Sequence, residues 1–206
     1  MTTYAWPTGS YARPASMEWG RLDNDRGTVS PLSGYTTTLS VPGMRWRVLM
    51  NFPAQLQTER DKLEAFLLKL DGMGHRTQLW DFGQGARTGN PSGTINRTGV
   101  TMSSTAAQFA TTLVLAGCGA STTMLANSKL SVNSQVLVVT DDATANGSGV
   151  MTVTVRPMLR AQATAGASVT LVKPTALFLM PEPLSLPRTF GNMAPEFSVL
   201  FVETFA

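Results

Sequence analysis

The sequence predicts a mainly β protein: a β-sandwich domain with one α-helix, interrupted by an inserted small antiparallel β-barrel or sandwich domain. Three observations predict it. Short segments of alternating apolar and polar residues recur along most of the chain. A helical period occurs once. The composition shifts near Asn90 and shifts back after Pro174, so the two ends share a character that the middle lacks.

The first fifty residues read as turns and short strands. Thr36–Gly43 places Leu39 and Val41 on one face and polar residues on the other. Met44–Phe52 alternates more clearly: Trp46, Val48 and Met50 point one way, Arg45, Arg47, Leu49 and Asn51 the other. The period then changes. In Thr58–Gly72, Leu63, Phe66, Leu67 and Leu70 fall at i, i+3, i+4 and i+7, which predicts a helix over 58–71 with one apolar stripe. Thr58 is expected to cap it, with Glu59 and Asp61 at the positive end of its dipole and Gly72 stopping it. Arg76–Gly83 follows as a strand.

Gln84–Gly99 is polar and Gly-rich, and reads as a connector with a boundary near Asn90. From Gly93 to Thr175 charge is sparse, and strands are expected at Phe109–Gly117, Ser134–Asp142, Val150–Pro157 and Ser168–Pro174. The third of these alternates: Met151, Val153 and Val155 lie on one face, and Val150, Thr152, Thr154 and Arg156 on the other. Asn146, Gly147 and Gly149 are expected to supply positive φ for the turn before it, and Pro157 ends it. After Pro174 apolar strands return. Phe197, Val199 and Phe201 face one side and Leu200 and Val202 the other, so this strand is either central to a sheet or covered by a partner. The expected organisation is a domain of residues 1–88 and 176–206, with a second β domain, 93–175, inserted into it.

The chain has 206 residues, 43% of them apolar, which suits a globular core. Only 14% are charged, against about 25% in typical soluble domains. Its polar surface must come from Thr, Ser, Asn and Gln, a mild argument for packing against copies of itself. The net charge is +3 and the basic residues are scattered, which excludes a dedicated nucleic-acid groove. One cysteine, Cys118, allows no intrachain disulfide and suits a reducing cytosol. The opening residues lack the pattern of a signal peptide, and no run of about 18 apolar residues predicts a membrane span.

No catalytic constellation stands out. His75 is the only histidine and has no Cys or carboxylate cluster around it, so no metal site is expected. Cys118 lies among small residues and reads as a buried filler. Asp141 and Asp142 are adjacent and suit a turn better than paired acid–base work. The stretch containing Cys118 is not a dinucleotide fingerprint, Asn90–Gly93 lacks the Lys of a phosphate loop, and Glu182, Glu196 and Glu203 are scattered. Trp6, Trp19, Trp46 and Trp80 could stack a sugar, but core or interface packing is the better expectation. No enzyme activity and no cofactor are expected.

Several short motifs, in order, carry a resemblance: Ser30–Gly34 (SPLSG), Pro42–Trp46 (PGMRW), Leu70–His75 (LDGMGH), Asn90–Gly93 (NPSG), and the long stretch Val136–Arg160, in which an acidic-Ala-Thr-Ala turn leads to a strand and P-x-L-R. The chain resembles distal tail proteins, or minor tail proteins, of long-tailed, siphovirus-type bacteriophages. The resemblance implies a β-sandwich with one helix, six copies closed into a ring between the tail tube and the tail-tip or baseplate complex, and peripheral domains pointing outward. It implies a structural, non-enzymatic virion component at the distal end of the tail, made in the bacterial host cytoplasm. Its partners would be its own copies, the tail tube protein, the tape measure protein and tail-tip hub proteins. DNA would pass through the lumen without specific binding, and no membrane insertion is implied. A ring interface must be head-to-tail. Ser30, Pro31, Leu32 and Gly34 in one loop, and Val199 and Phe201 in an apolar edge strand spanning Glu196–Phe205, are the expected interface residues. Two other classes compete. A tail-tip adaptor or receptor- or carbohydrate-binding module would need exposed aromatics, yet Phe109 is the only aromatic from Gly93 to Thr175. A cell-wall hydrolase would need a catalytic pair that the sequence does not offer.

Overall fold

The computed structural model describes residues 1–23, 25–39, 43–83, 91–187 and 191–205. Val41, Pro42 and the Gln84–Asn90 part of the expected connector, including the boundary at Asn90, lie outside the described residues.

The fold is mainly β. In chain order the strands are β1 (Thr3–Ala5), β2 (Ser16–Leu22), β3 (Arg26–Val29), β4 (Thr36–Leu39), β5 (Arg45–Phe52), β6 (Gln55–Leu56) and β7 (Arg76–Leu79), with α1 (Gln57–Lys69) between the last two. Then come β8 (Thr101–Met102), β9 (Thr112–Ala116), β10 (Thr123–Met124), β11 (Lys129–Val132), β12 (Gln135–Val139), β13 (Ala143–Thr144) and β14 (Met151–Arg156). β15 (Ala176–Leu179), β16 (Met193–Ala194) and β17 (Phe197–Glu203) follow.

Both ends of the chain build one six-stranded sheet, ordered β1-β7-β15-β17-β5-β2. Alternation sets its inner face: Trp46, Val48, Met50 and Phe52 are buried along β5, and Phe197, Val199 and Phe201 along β17. The stripe of α1 closes this core through Leu63, Leu67 and Leu70, with Phe66 half-buried against Trp6. Arg60 is buried on the same helix although no apolar periodicity marks it; its guanidinium lies 3.4 Å from the Phe197 ring centroid and donates to the Pro195 carbonyl.

The helix start differs from expectation. Leu56, not Thr58, is the N-cap, and no side chain caps it. The reason is tertiary: β6 pairs with β16 and feeds straight into α1, so the Gln57 N–H donates to the Asn192 carbonyl at 3.0 Å. Glu59 keeps its place in the first turn, whereas Asp61 accepts from the Gln57 side chain one turn on. The helix ends at Lys69, and Asp71 shares the left-handed turn with Gly72 (φ 47° and 58°).

The edge position expected for Glu196–Phe205 is corrected. β17 sits between β15 and β5, with six residues in register from Phe197↔Phe52 to Val202↔Arg47. Its other edge pairs with β15 at Val202 and Glu203.

The middle of the chain forms a five-stranded antiparallel sheet, ordered β11-β12-β14-β9-β8. Met151, Val153 and Val155 of β14 face its core, as their alternation predicts. Of the three turn residues expected at positive φ, only Gly149 has it (φ 73°). Asn146 works through its side chain instead, its Oδ1 accepting from the Ser148 and Val150 N–H groups at 3.0 Å. A tighter turn lies at Asn133–Ser134, both left-handed, joining β11 to β12. The strand expected at Ser168–Pro174 is reduced to isolated bridges, Ser168↔Thr101 and Thr170↔Ser131, while Val169 and Leu171 still reach the core.

Buried side chains form two clusters. One gathers residues of the six-stranded sheet and α1; the other draws only on Ile95–Leu171. Val136 and Val138 of β12 are the crossover, packing into the first cluster. The middle segment is entered and left at neighbouring points, since Leu79 of β7 pairs with Ala176 of β15.

Candidate interaction surface

β3 and β4 form a hairpin that extends beyond the last β2–β5 pair, Leu22↔Arg45. Thirteen of its fourteen residues from Arg26 to Leu39 are exposed, and Ser30 is half-buried. Leu39 therefore has no buried face; it is 62% exposed, with Val29 at 60%, Tyr35 at 78% and Leu32 at 99%. No side chain from Gly27 to Leu39 carries a charge. A solvated ribbon usually guards its edges with Lys or other charges. This one presents four large apolar side chains and a row of threonines.

The tip is a defined turn. The Ser30 carbonyl accepts from the Gly34 N–H at 2.9 Å, and the Ser30 N–H donates to the Tyr35 carbonyl at 2.9 Å. Pro31 presets its own φ, and Gly34 takes φ 69°, which a side chain would strain. Leu32 is thereby held at the apex. At the root, Arg21 pairs with Asp23 at 2.7 Å, an exposed contact worth at most about 1 kcal/mol.

The structure separates the expected interface residues into two sets. Ser30, Pro31, Leu32 and Gly34 come together at the arm tip. Val199 (4% exposed) and Phe201 (0%) lie in the core of the same chain and present nothing to a partner.

The remaining chemistry-bearing residues have local roles. His75 Nδ1 accepts from the Thr2 N–H at 3.2 Å, and its ring stands edge-on to Tyr4. Cys118 is fully buried, and burial pushes its thiol pKa up. Asp142 accepts from the Ala126 N–H. Trp6 packs against Phe52, Phe66, Phe82 and Phe201, and Trp19 against Trp46 and Phe178. A groove of about 620 Å³ passes Trp80, Phe82, Arg13 and Lys173. Its rings are already engaged: Trp80 lies 4.4 Å from Phe82, and Lys173 Nζ sits 5.2 Å from the Trp80 centroid. Among the described residues no group of three His, Cys, Asp or Glu could hold a metal ion, and no helix is long and apolar enough to cross a membrane.

Sequence reasoning missed the joint between the two sheets. Arg160 forks onto Glu203, with Nη1 2.9 Å from Oε1 and Nη2 bonded to Oε2, and also donates to the Met44 carbonyl. The Trp46 N–H donates to Glu203 at 3.0 Å, and Trp46 Nε1 donates to the Val136 carbonyl at 2.9 Å. Lys129 pairs with Asp81, and Ser131 Oγ donates to the Thr175 carbonyl. Glu203 is fully buried. Burial pushes its carboxyl pKa up, while the Arg160 hydrogen bond and charge, the Trp46 N–H and the Arg45 charge pull the other way. One signal existed: position 203 shares the inward parity of 197, 199 and 201, so a carboxylate there needs a buried partner.

No family model and no curated protein matches the chain.

Proposed function

We propose that the chain is a structural subunit of a long-tailed bacteriophage tail, assembling head-to-tail into a ring between the tail tube and the tip complex. The observation that carries this reading is the arm: an exposed hairpin, uncharged from Gly27 to Leu39 and carrying four large apolar side chains, on a body whose own cores are closed. An isolated two-stranded hairpin is marginal in water, so an arm of this composition gains order from a partner. The tail motifs noted above supply the class of assembly, and Ser30–Gly34, one of them, is the arm tip. In this reading the sheet and helix form the ring body, and the five-stranded module sits on its periphery. Tube, tape measure and hub proteins flank the ring.

The test is the mass of the purified protein by light scattering, with negative-stain images of the same sample. Six copies of the 22.0 kDa chain weigh about 132 kDa and would enclose a central hole. A monomer that stays off isolated tails when tube and tip proteins are supplied would overturn the reading.

A further inference from the structure

The six-stranded sheet has a second face. By alternation it carries Leu49 of β5, Leu177 and Leu179 of β15, and Leu200 and Val202 of β17. Leu200 pairs with Leu49 and Val202 with Leu179, so the five aliphatic side chains form one contiguous patch. All five are half-buried, and none belongs to either buried cluster or to the residues packed against them. The helix and β12 lie on the other side, where their side chains meet Trp46 and Phe201. β17 is thus central to its sheet, and among the described residues neither core cluster covers its outer face.

We infer that this open face is the seat for the arm of a second copy. The inference rests on the ring reading for head-to-tail assembly and adds the acceptor. Among the described residues two apolar surfaces occur on one chain without a covering element, and the arm does not cover its own sheet, since its residues are exposed. It leaves from β2, an edge of the sheet, and continues outward. Charge matches as well. The arm is neutral from Gly27 to Leu39, and the patch is aliphatic, with charges of both signs on the same face: Arg47 opposite Val202 and Glu18 opposite Leu49. A partner charged with either sign would meet a like charge there, whereas a neutral ribbon of Thr, Ser and apolar residues meets none. The size also fits. A standard interface uses about 20–30 residues a side, and the arm alone supplies roughly half of that. An arm on one flank and a seat on a different surface make each contact heterologous, the geometry a closed ring requires.

The test uses two full-length variants. Leu32→Asp spoils the arm of one; because Leu32 is 99% exposed, its folding is unaffected. Leu200→Lys spoils the seat of the other, with thermal melting to establish that it folds. Each variant alone should associate at least tenfold more weakly than the native chain. Mixed, they should form a 1:1 dimer of about 44 kDa and stop there, because one intact arm meets one intact seat. A photo-cross-linking residue at Tyr35 in the otherwise native chain gives a readout without a sheet mutation, and its adducts should map to β5, β15 or β17 of another copy. Adducts on another arm, or a mixture that stays monomeric while the native chain forms its ring, would overturn the seat and leave the ring standing. A native chain that neither self-associates nor joins tails would overturn both.

Discussion

Two hairpins in this protein have ladders of the same length and opposite fates. β11 and β12 pair over Lys129–Val132, and all four residues of β11 are buried. β3 and β4 pair over Arg26–Val29, and all four residues of each strand are exposed. Both carry Val and Leu. Local pairing therefore does not decide burial; what lies across the faces does. β11 and β12 are sandwiched between two cores, with Leu130 and Leu137 in one and Val136 in the other. Among the described residues, nothing packs across from the arm.

The comparison breaks most severely at the joint that holds β12 against the first sheet. Arg160→Ala strands the fully buried Glu203 carboxylate and should cost about 3–5 kcal/mol. In a chain this size that lowers Tm by roughly 2–4 °C per kcal/mol, measurable by calorimetry. Next comes Leu130→Ala, which opens a cavity in the buried hairpin and should cost about 3 kcal/mol by urea denaturation. A milder probe is pH. Burial raises the Glu203 pKa, so the folded chain holds that proton more tightly than the unfolded one. Stability from this group is present at low pH and is lost as pH rises through the raised value. Denaturation midpoints taken from about pH 4 to about pH 8 should show that decline, and Glu203→Gln should flatten it. The smallest effect belongs to the arm: Leu39→Ala should change monomer stability by less than about 0.5 kcal/mol. A larger loss would mean that the arm packs on its own chain in solution.

Legibility in the sequence tracked locality. The stripe of α1 and the alternation of β5 and β14 are set by neighbours within a turn or a strand, so periodicity reports them directly. The helix start did not follow Thr58, because the group that satisfies Gln57 N–H comes from residue 192. β17 looked like an edge because β5, the strand it pairs with along most of its length, is distant in sequence. Ser30–Gly34 stood out only through the motif resemblance, and the exposure of everything around it could not be read, since a Thr-rich alternating segment has the same pattern whether or not a core awaits it. The Arg160–Glu203 fork joins a loop to a strand in different sheets, and no spacing rule links them.

The pairing of Leu79 with Ala176 has a consequence for how this chain can change. Residues 80–175 leave and rejoin the sheet at facing positions of two adjacent antiparallel strands, where an ordinary hairpin would need only a short turn. The backbone geometry of the larger sheet therefore asks only that a passenger begin and end close together at that point. A module exchanged or trimmed there would have to cover Trp46, replace the packing of Trp80 and Phe82, and pair Glu203 anew.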